Sequence, residues 1–304
     1  DDARTLFRHE TGDPNRPGFA LLTRIRNSNC KSQGLTPSNG ATWRKFRQVI
    51  NNTLSFNVID TYVGKQTEIA ENFVQLITDS NYRLDNIQQY LGWYSIEASS
   101  VICPGFHEKC IRDRNYALLE TVNDFMAALH QSFFLNRLTA PIQYQQTFKK
   151  LKRTQIDLHR LISTYIDNLN MISKHHNDYI EKTNPYMHIL LDSQLSDNDK
   201  KMLAMEVFLG GIDTISTTLA FTLHFLARNP QVQSKAHDEV LKSDKITDMP
   251  YLRACLRETL RLRPTAEATS RFVPNDLIFD DCLVKKNVIS VILYFRNLWR
   301  FSIQ

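Results

Sequence analysis

The sequence predicts a mainly helical fold, and three observations carry that prediction. Glycine and proline are sparse, 9 and 10 among 304 residues, so few positions interrupt a helix. One segment, residues 197–228, keeps a helical apolar rhythm for its whole length. Runs of β-branched and aromatic residues gather only after Pro264.

Earlier helices fall at 43–53, 60–79, 84–102, 115–131 and 143–182, with polar or glycine-containing breaks between them. Ser196 and Asp199 then have the spacing of a capping box, and the helix that follows runs to Arg228, where Asn229-Pro230 stops it and starts another. At about 1.5 Å per residue this rod is roughly 48 Å long and crosses an entire domain. "YLRACLRETLRLRP" (251–264) is a short helix closed by Pro264. "SRFVPNDLIFDDCLVKKNVISVILY" (270–294) reads as short strands split by Asn-Asp and Lys-Lys-Asn turns.

Composition narrows the function classes. A content of 42% hydrophobic and 23% charged residues belongs to an ordinary soluble domain. The net charge of +5 is spread along the chain, so no nucleic-acid partner is implied. Five cysteines without a CxxC pair favour buried free thiols over a disulfide framework. Within the long helix Glu206 and Asp213 interrupt the apolar run, and its longest uncharged stretch, Thr214 to Ala227, falls short of the roughly 17–25 residues of a membrane span. The chain opens Asp1-Asp2-Ala3-Arg4 without a targeting segment, so the expectation is that the true N-terminus is missing or was processed away.

Several stretches could carry chemistry. In "FLGGIDTISTT" (208–218) the glycines Gly210 and Gly211 forgo roughly 2 kcal/mol of helix propensity. Thr214 stands four residues after Gly210, where its hydroxyl can compete for the preceding turn's carbonyl. Either close helix packing or a ligand notch flanked by Asp213 and Thr214 explains the cost. Glu258 and Arg261 share a helix face, and Arg253, Arg257 and Arg261 form a stripe at spacing four; both patterns also suit a solvated surface. Trp43 and Arg47 stand one turn apart and make a carboxylate clamp or an amphipathic surface turn. Cys103, His107 and Cys110 in "CPGFHEKC" supply only three ligands at a spacing that matches no standard zinc pattern, so no metal is expected.

Taken in order, these motifs resemble the cytochromes P-450, the haem-thiolate monooxygenases, and specifically their mitochondrial class. The long-helix motif [AG]Gx[DE]T reads here as Gly210-Gly211-Ile212-Asp213-Thr214, followed by "LARNP"; ExxR reads as Glu258 to Arg261, and WxxxR as Trp43 to Arg47. "DDARTLFRHETGDPNRPGF", "GLTPSNGATWRKFR" and "WYSIEASS" are also similar to mitochondrial members, so the likeness runs to about Tyr294. It implies one incomplete P-450 domain over 1–304, a helical bundle around a long central helix with a small β region, and haem (protoporphyrin IX iron) as cofactor. Trp43, Arg47 and Arg271 in "ATSRF" would bind the haem propionates. Gly210 and Gly211 would clear room for dioxygen, and Asp213 and Thr214 would deliver protons. Glu258 and Arg261 would form a buried structural pair behind the haem, and Arg253 and Arg257 would dock an acidic, adrenodoxin-like ferredoxin. The implied substrate is lipophilic and steroid- or sterol-like, and the implied location is mitochondrial, on the inner membrane, with peripheral membrane contact.

The sequence departs from the pattern in one respect. The haem-ligand loop FxxGxRxCxG is absent, and neither Cys255, inside the ExxR helix, nor Cys282, in a strand, nor the Cys103-Pro104-Gly105 triplet can replace it. The expectation is a fragment or truncated product, without the first strands, that does not bind haem normally. Two alternatives stand beside the enzyme: a truncated, non-catalytic relative, and an all-helical interaction scaffold, for which no repeat is visible.

Overall fold

The computed structural model describes residues 2–293 apart from Thr11, His107, Glu108, Asn136, Asp244, Ile246, Thr247, Glu267, Asp280 and Asp281. Thirteen α-helices precede four short strands among the described residues: α1 (Asp2–His9), α2 (Ala20–Asn29), α3 (Gly40–Thr53), α4 (Phe56–Asp60), α5 (Val63–Asp79), α6 (Ile87–Ser100), α7 (Cys110–Asp113), α8 (Tyr116–Ser132), α9 (Pro141–Thr183), α10 (Pro185–Asp192), α11 (Asp197–Arg228), α12 (Pro230–Lys242) and α13 (Pro250–Leu262), then β1 (Ala268–Phe272), β2 (Leu277–Phe279), β3 (Cys282–Val284) and β4 (Ile289–Leu293). Every helix expected from periodicity is present. The break expected between 53 and 60 is narrowed to Leu54–Ser55, a second falls at Thr61–Tyr62, and α1, α2, α4, α7 and α10 add helices too short for their rhythm to stand out. Tyr294, expected to end the last strand, lies outside the described residues.

α11 is the centre of the bundle. Ser196 caps it by accepting from the Asp199 N–H at 3.2 Å, as the capping box requires, and Asn229 closes it. Met202, Leu203, Ala204, Met205, Phe208, Leu209 and Ile212 are buried, so its first half forms the core against α6 and α9. By length and composition alone the helix could cross a bilayer, with a mean hydropathy of 1.2 over eighteen residues. The apolar side chains of its first half face the protein, while only 39% of that eighteen-residue window is buried.

Glu206 stands in this apolar half, with only 7% of its side chain exposed. It is retained because three donors converge on it. Arg26 of α2, itself 2% exposed, reaches its Oε1 at 2.5 Å, and the Leu35 and Thr36 N–H groups reach its carboxylate at 2.6 and 2.9 Å. Arg26 also donates to the Gln33 carbonyl at 3.1 Å and to Gln155 of α9 at 3.1 Å. Gly34 turns the loop with φ +75°, and any Cβ there would strike Met202, Arg26 and Glu206. One buried ion pair thus fixes α2, the 33–36 loop, α9 and α11 to each other.

The strands form two antiparallel pairs: β1 with β4, in register Ala268↔Leu293 to Phe272↔Ile289, and the β2–β3 hairpin between them. They build a second small cluster, in which Val273 and Leu277 pack on Leu6 of α1. The chain's first helix therefore belongs to the β region, held there by Arg271–Glu10 at 2.6 Å and by Phe272 N–H on the Asn15 carbonyl at 2.9 Å. All five cysteines are free; Cys30, Cys103 and Cys110 are buried, Cys255 half-buried and Cys282 exposed.

Glu206→Gln should lower stability by about 3–5 kcal/mol, because it strands a buried guanidinium. In urea denaturation the double variant Arg26→Met/Glu206→Leu should recover part of that loss. The two glycines should respond with opposite signs. Nothing lies within 4 Å of a Cβ at Gly210, so Gly210→Ala should gain up to about 1 kcal/mol of helix propensity. A side chain at Gly211 meets Ser99 of α6, so Gly211→Val should cost about 1–3 kcal/mol by overpacking.

Candidate functional site

The candidate site lies on the second half of α11, where the helix leaves the core. The two glycines that look alike in sequence have different work. Gly211 lets α6 approach, with Ser99 against its Cα, whereas Gly210 is exposed and opens a gap in the helix flank. The close-packing alternative thus holds at Gly211, while Gly210 stands open.

Thr214 Oγ1 donates to the Gly210 carbonyl at 2.7 Å. Thr218 repeats the contact on Thr214 and Thr222 on Thr218, each at 2.7 Å, so a ladder of hydroxyls climbs this flank. Each hydroxyl competes with a backbone N–H for its carbonyl, which loosens the turn beside Gly210. Sequence reading found the first rung and missed the other two, although the spacing of four was there to be counted.

Asp213 lies a third of a turn from Thr214 and lines a cavity of ≈ 560 Å³ between α6, α8 and α11, with Gln89, Asn123, Ser216, Thr217 and His224. Its surface is largely accessible, yet the surrounding walls remove enough water to push the carboxyl pKa upward. The direction follows from burial, which disfavours the charged form; no cation among the described residues pairs with it. This cavity was not legible in the sequence, because its three walls come from the separate segments 86–92, 119–126 and 212–224.

Trp43 and Arg47 flank the buried stripe of α3 formed by Phe46, Ile50 and Thr53; Trp43 is half-buried and Arg47 exposed. Among the described residues neither side chain has a hydrogen-bond partner, so both donors remain available, but no contact joins them to the α11 flank. Arg271 is committed on one edge: Nε to Glu10 at 2.6 Å, and Nη1 to Thr269 Oγ1 and the Ser270 carbonyl, each at 3.0 Å.

One expectation is corrected. Glu258 and Arg261 do form a bidentate pair at 2.6 and 2.7 Å, which holds the Glu258 carboxyl below the usual range, but their side chains are 55% and 53% exposed rather than buried. Only the opposite side of α13 packs, through Thr259 against Thr222 of α11 at 3.3 Å, and no described element covers the pair. Arg253 and Arg257 extend the same helix as exposed residues, completing the stripe read from spacing. Of the three candidate ligands in "CPGFHEKC", Cys103 and Cys110 are buried and His107 lies outside the described residues. Cys103 donates to the Ala204 carbonyl at 3.3 Å, and burial pushes its thiol pKa well up.

Comparison with known proteins identifies the family. The cytochrome P450 family model matches residues 1–297. Among relatives, the probable cytochrome P450 12a5, mitochondrial, of Drosophila melanogaster is 25% identical over 98% of this chain and 61% of its own length. Cytochrome P450 302a1, mitochondrial, of the same organism is 28% identical over 94% and 62%, and cytochrome P450 11B2, mitochondrial, of Rattus norvegicus 27% over 99% and 62%. The chain thus spans about three fifths of the length of these curated relatives. With the long-helix, WxxxR and ExxR motifs on α11, α3 and α13 of a mainly helical fold, this chain belongs to the cytochrome P450 family.

Proposed function

We propose that this chain belongs to a haem-dependent monooxygenase of the mitochondrial class, which inserts one oxygen atom of dioxygen into a lipophilic, steroid- or sterol-like substrate with electrons from an acidic ferredoxin. The observation that carries the reading is the α11 flank: an open gap at Gly210, a hydroxyl anchored on its carbonyl, and a carboxyl of raised pKa one residue away. The mitochondrial assignment rests on the names of the relatives, and the steroid-like substrate on the family resemblance.

Haem is the family's cofactor, and the residues present fit its periphery. Trp43 Nε1 and Arg47 offer uncommitted donors for propionates, and Arg271 keeps Nη2 free beside its Glu10 pair. The open flank at Gly210 admits a flat group. The axial position is not matched. Cys103 is protonated in the core, burial also raises Cys30 and Cys255, and Cys282 stands at the surface on β3. When bound, haem supplies the iron at which dioxygen is reduced. The chain's own part is proton handling: the Asp213 carboxyl holds a proton closer to neutral pH than an ordinary aspartate, and Thr214 Oγ1 accepts and passes it along the gap.

Three measurements test these roles. The purified chain mixed with haem should give no thiolate-type carbon monoxide difference spectrum; such a spectrum would overturn the axial argument. Asp213→Asn tests the titration. A carboxyl whose folded pKa is raised gives the native state extra protons, so wild-type stability falls as pH climbs above about 4, the ordinary carboxylate value. The melting temperature of the Asn variant should therefore gain on wild type from pH 4 to pH 7; a constant gap would remove Asp213 from the proton route. Finally, in ferredoxin-driven turnover of the full-length protein, Arg253→Glu/Arg257→Glu should raise the KM for ferredoxin about tenfold or more with kcat little changed. A fall in kcat alone would remove these residues from docking.

A further inference from the structure

We propose that the cavity between α6, α8 and α11 is a ligand site of its own, which takes an organic cation with an apolar body, such as a quaternary ammonium or a protonated amine. Binding there follows from the walls of the cavity and does not require the haem chemistry proposed above. Two glycines close its inner end. A Cβ at Gly92 would stand 2.7 Å from Leu119 Cδ1, so only glycine lets α6 come this near α8. Gly211 admits Ser99 of α6 in the same way. Beyond these contacts the cavity opens between 86–92 of α6, 119–126 of α8 and 212–224 of α11. At ≈ 560 Å³ it falls within the range of small-molecule sites, about 300–1,000 Å³.

The walls carry one charge and little to answer it. On α11, Asp213, Thr217, Ala220 and His224 follow one face of the helix. Leu119, Val122 and Met126 of α8 form an apolar wall, and Gln88, Gln89 and Asn123 add neutral amides. Among the described residues lining the cavity Asp213 is the only acid, and no lysine or arginine is present. His224 is the one other titratable group, about 16 Å from Asp213 along the axis. Arg263 lies outside this lining, over the Phe221 ring at 5.7 Å, and Phe221 is itself about 12 Å along the axis from Asp213. Ser216 Oγ donates to the Asp213 backbone carbonyl at 3.1 Å, so that hydroxyl spends its proton on the backbone.

These walls select among ligand classes. An anion is repelled by Asp213, and a polyol leaves the α8 wall without apolar contact. A neutral hydrocarbon leaves the carboxylate unpaired, which is costly where water is scarce. A bare metal ion needs several oxygen ligands, and the cavity offers one carboxylate. An ammonium on an apolar body meets the carboxylate and the apolar wall together. Such a cation also favours the charged form of Asp213 and displaces the proton that burial lets the carboxyl keep. The ligand thereby withdraws Asp213 from proton delivery, a consequence that rests on the function proposed above, whereas the binding does not.

The test is titration calorimetry of the purified chain at neutral pH with two probes. Benzyltrimethylammonium carries the charge on a nitrogen without a lone pair, and benzyl alcohol keeps the ring without the charge. The ammonium should bind at least about tenfold more tightly than the alcohol. Asp213→Asn should remove that preference, and Ala220→Leu, which fills the cavity and leaves the charge in place, should weaken both probes. Asp213 is exposed and Ala220 half-buried, so both variants should keep the wild-type circular dichroism. In carbon-13 spectra the Asp213 carboxyl should titrate at lower pH when the ammonium is present. Equal affinity for the two probes, unchanged ammonium binding in either variant, or a carboxyl titration that stays in place while the ammonium binds would each overturn the proposal. If all three expectations hold and Asp213→Asn leaves turnover of the full-length protein unchanged, the cation site stands and the proton role of Asp213 falls.

Discussion

The pairing of Arg26 with Glu206 is the constraint on which the rest of the molecule depends. It brings together segments up to 180 residues apart at a point sealed from water. Two charges there repay their desolvation only because the carboxylate also collects two backbone N–H groups and the guanidinium a carbonyl and an amide. The geometry this demands is narrow: glycine at 34, the loop laid across the helix, and α2 and α9 brought up on either side. An apolar pair could match the stability but would not specify which loop lies over the helix about one turn before the glycines.

Held this way at its first half, α11 can give up packing in its second. Beyond Ile212 only Thr222 is fully buried, and hydroxyls bonded to their own backbone replace core side chains. The helix persists there although each Thr hydroxyl competes for a carbonyl of its own backbone, and Thr222 also meets Thr259 of α13. The open flank and Asp213 go together: among the described residues the second half of the rod carries polar groups in place of core side chains. Polar groups on a bare, rigid element are what a ligand site requires.

Much of this was legible in the residues themselves. The capping box at Ser196 and the Asn-Pro stop at 229–230 gave both ends of α11 correctly, since each is a local hydrogen-bonding event. The Thr214 contact on Gly210 followed from a spacing of four alone. The burial of Glu258 and Arg261 is not set by their sharing a face: it needs another segment laid over that face, and no described element supplies one. Glu206 was read only as a charge interrupting a membrane span. An acid in an otherwise buried apolar run is itself a sign of a buried partner, and that signal went unused.

By itself the sequence determined the helices, their order and the motifs that place this chain among the cytochromes P450. Periodicity, caps and motif spacing act within a few turns of one chain segment. Only the tertiary structure decided which of two adjacent glycines packs and which opens, because that depends on whether Ser99 of α6 or empty space stands opposite. Likewise it alone committed Arg271 to Glu10 and gathered three distant helices around Asp213. Those outcomes are set by contacts between segments far apart in the chain, whose geometry no local pattern encodes.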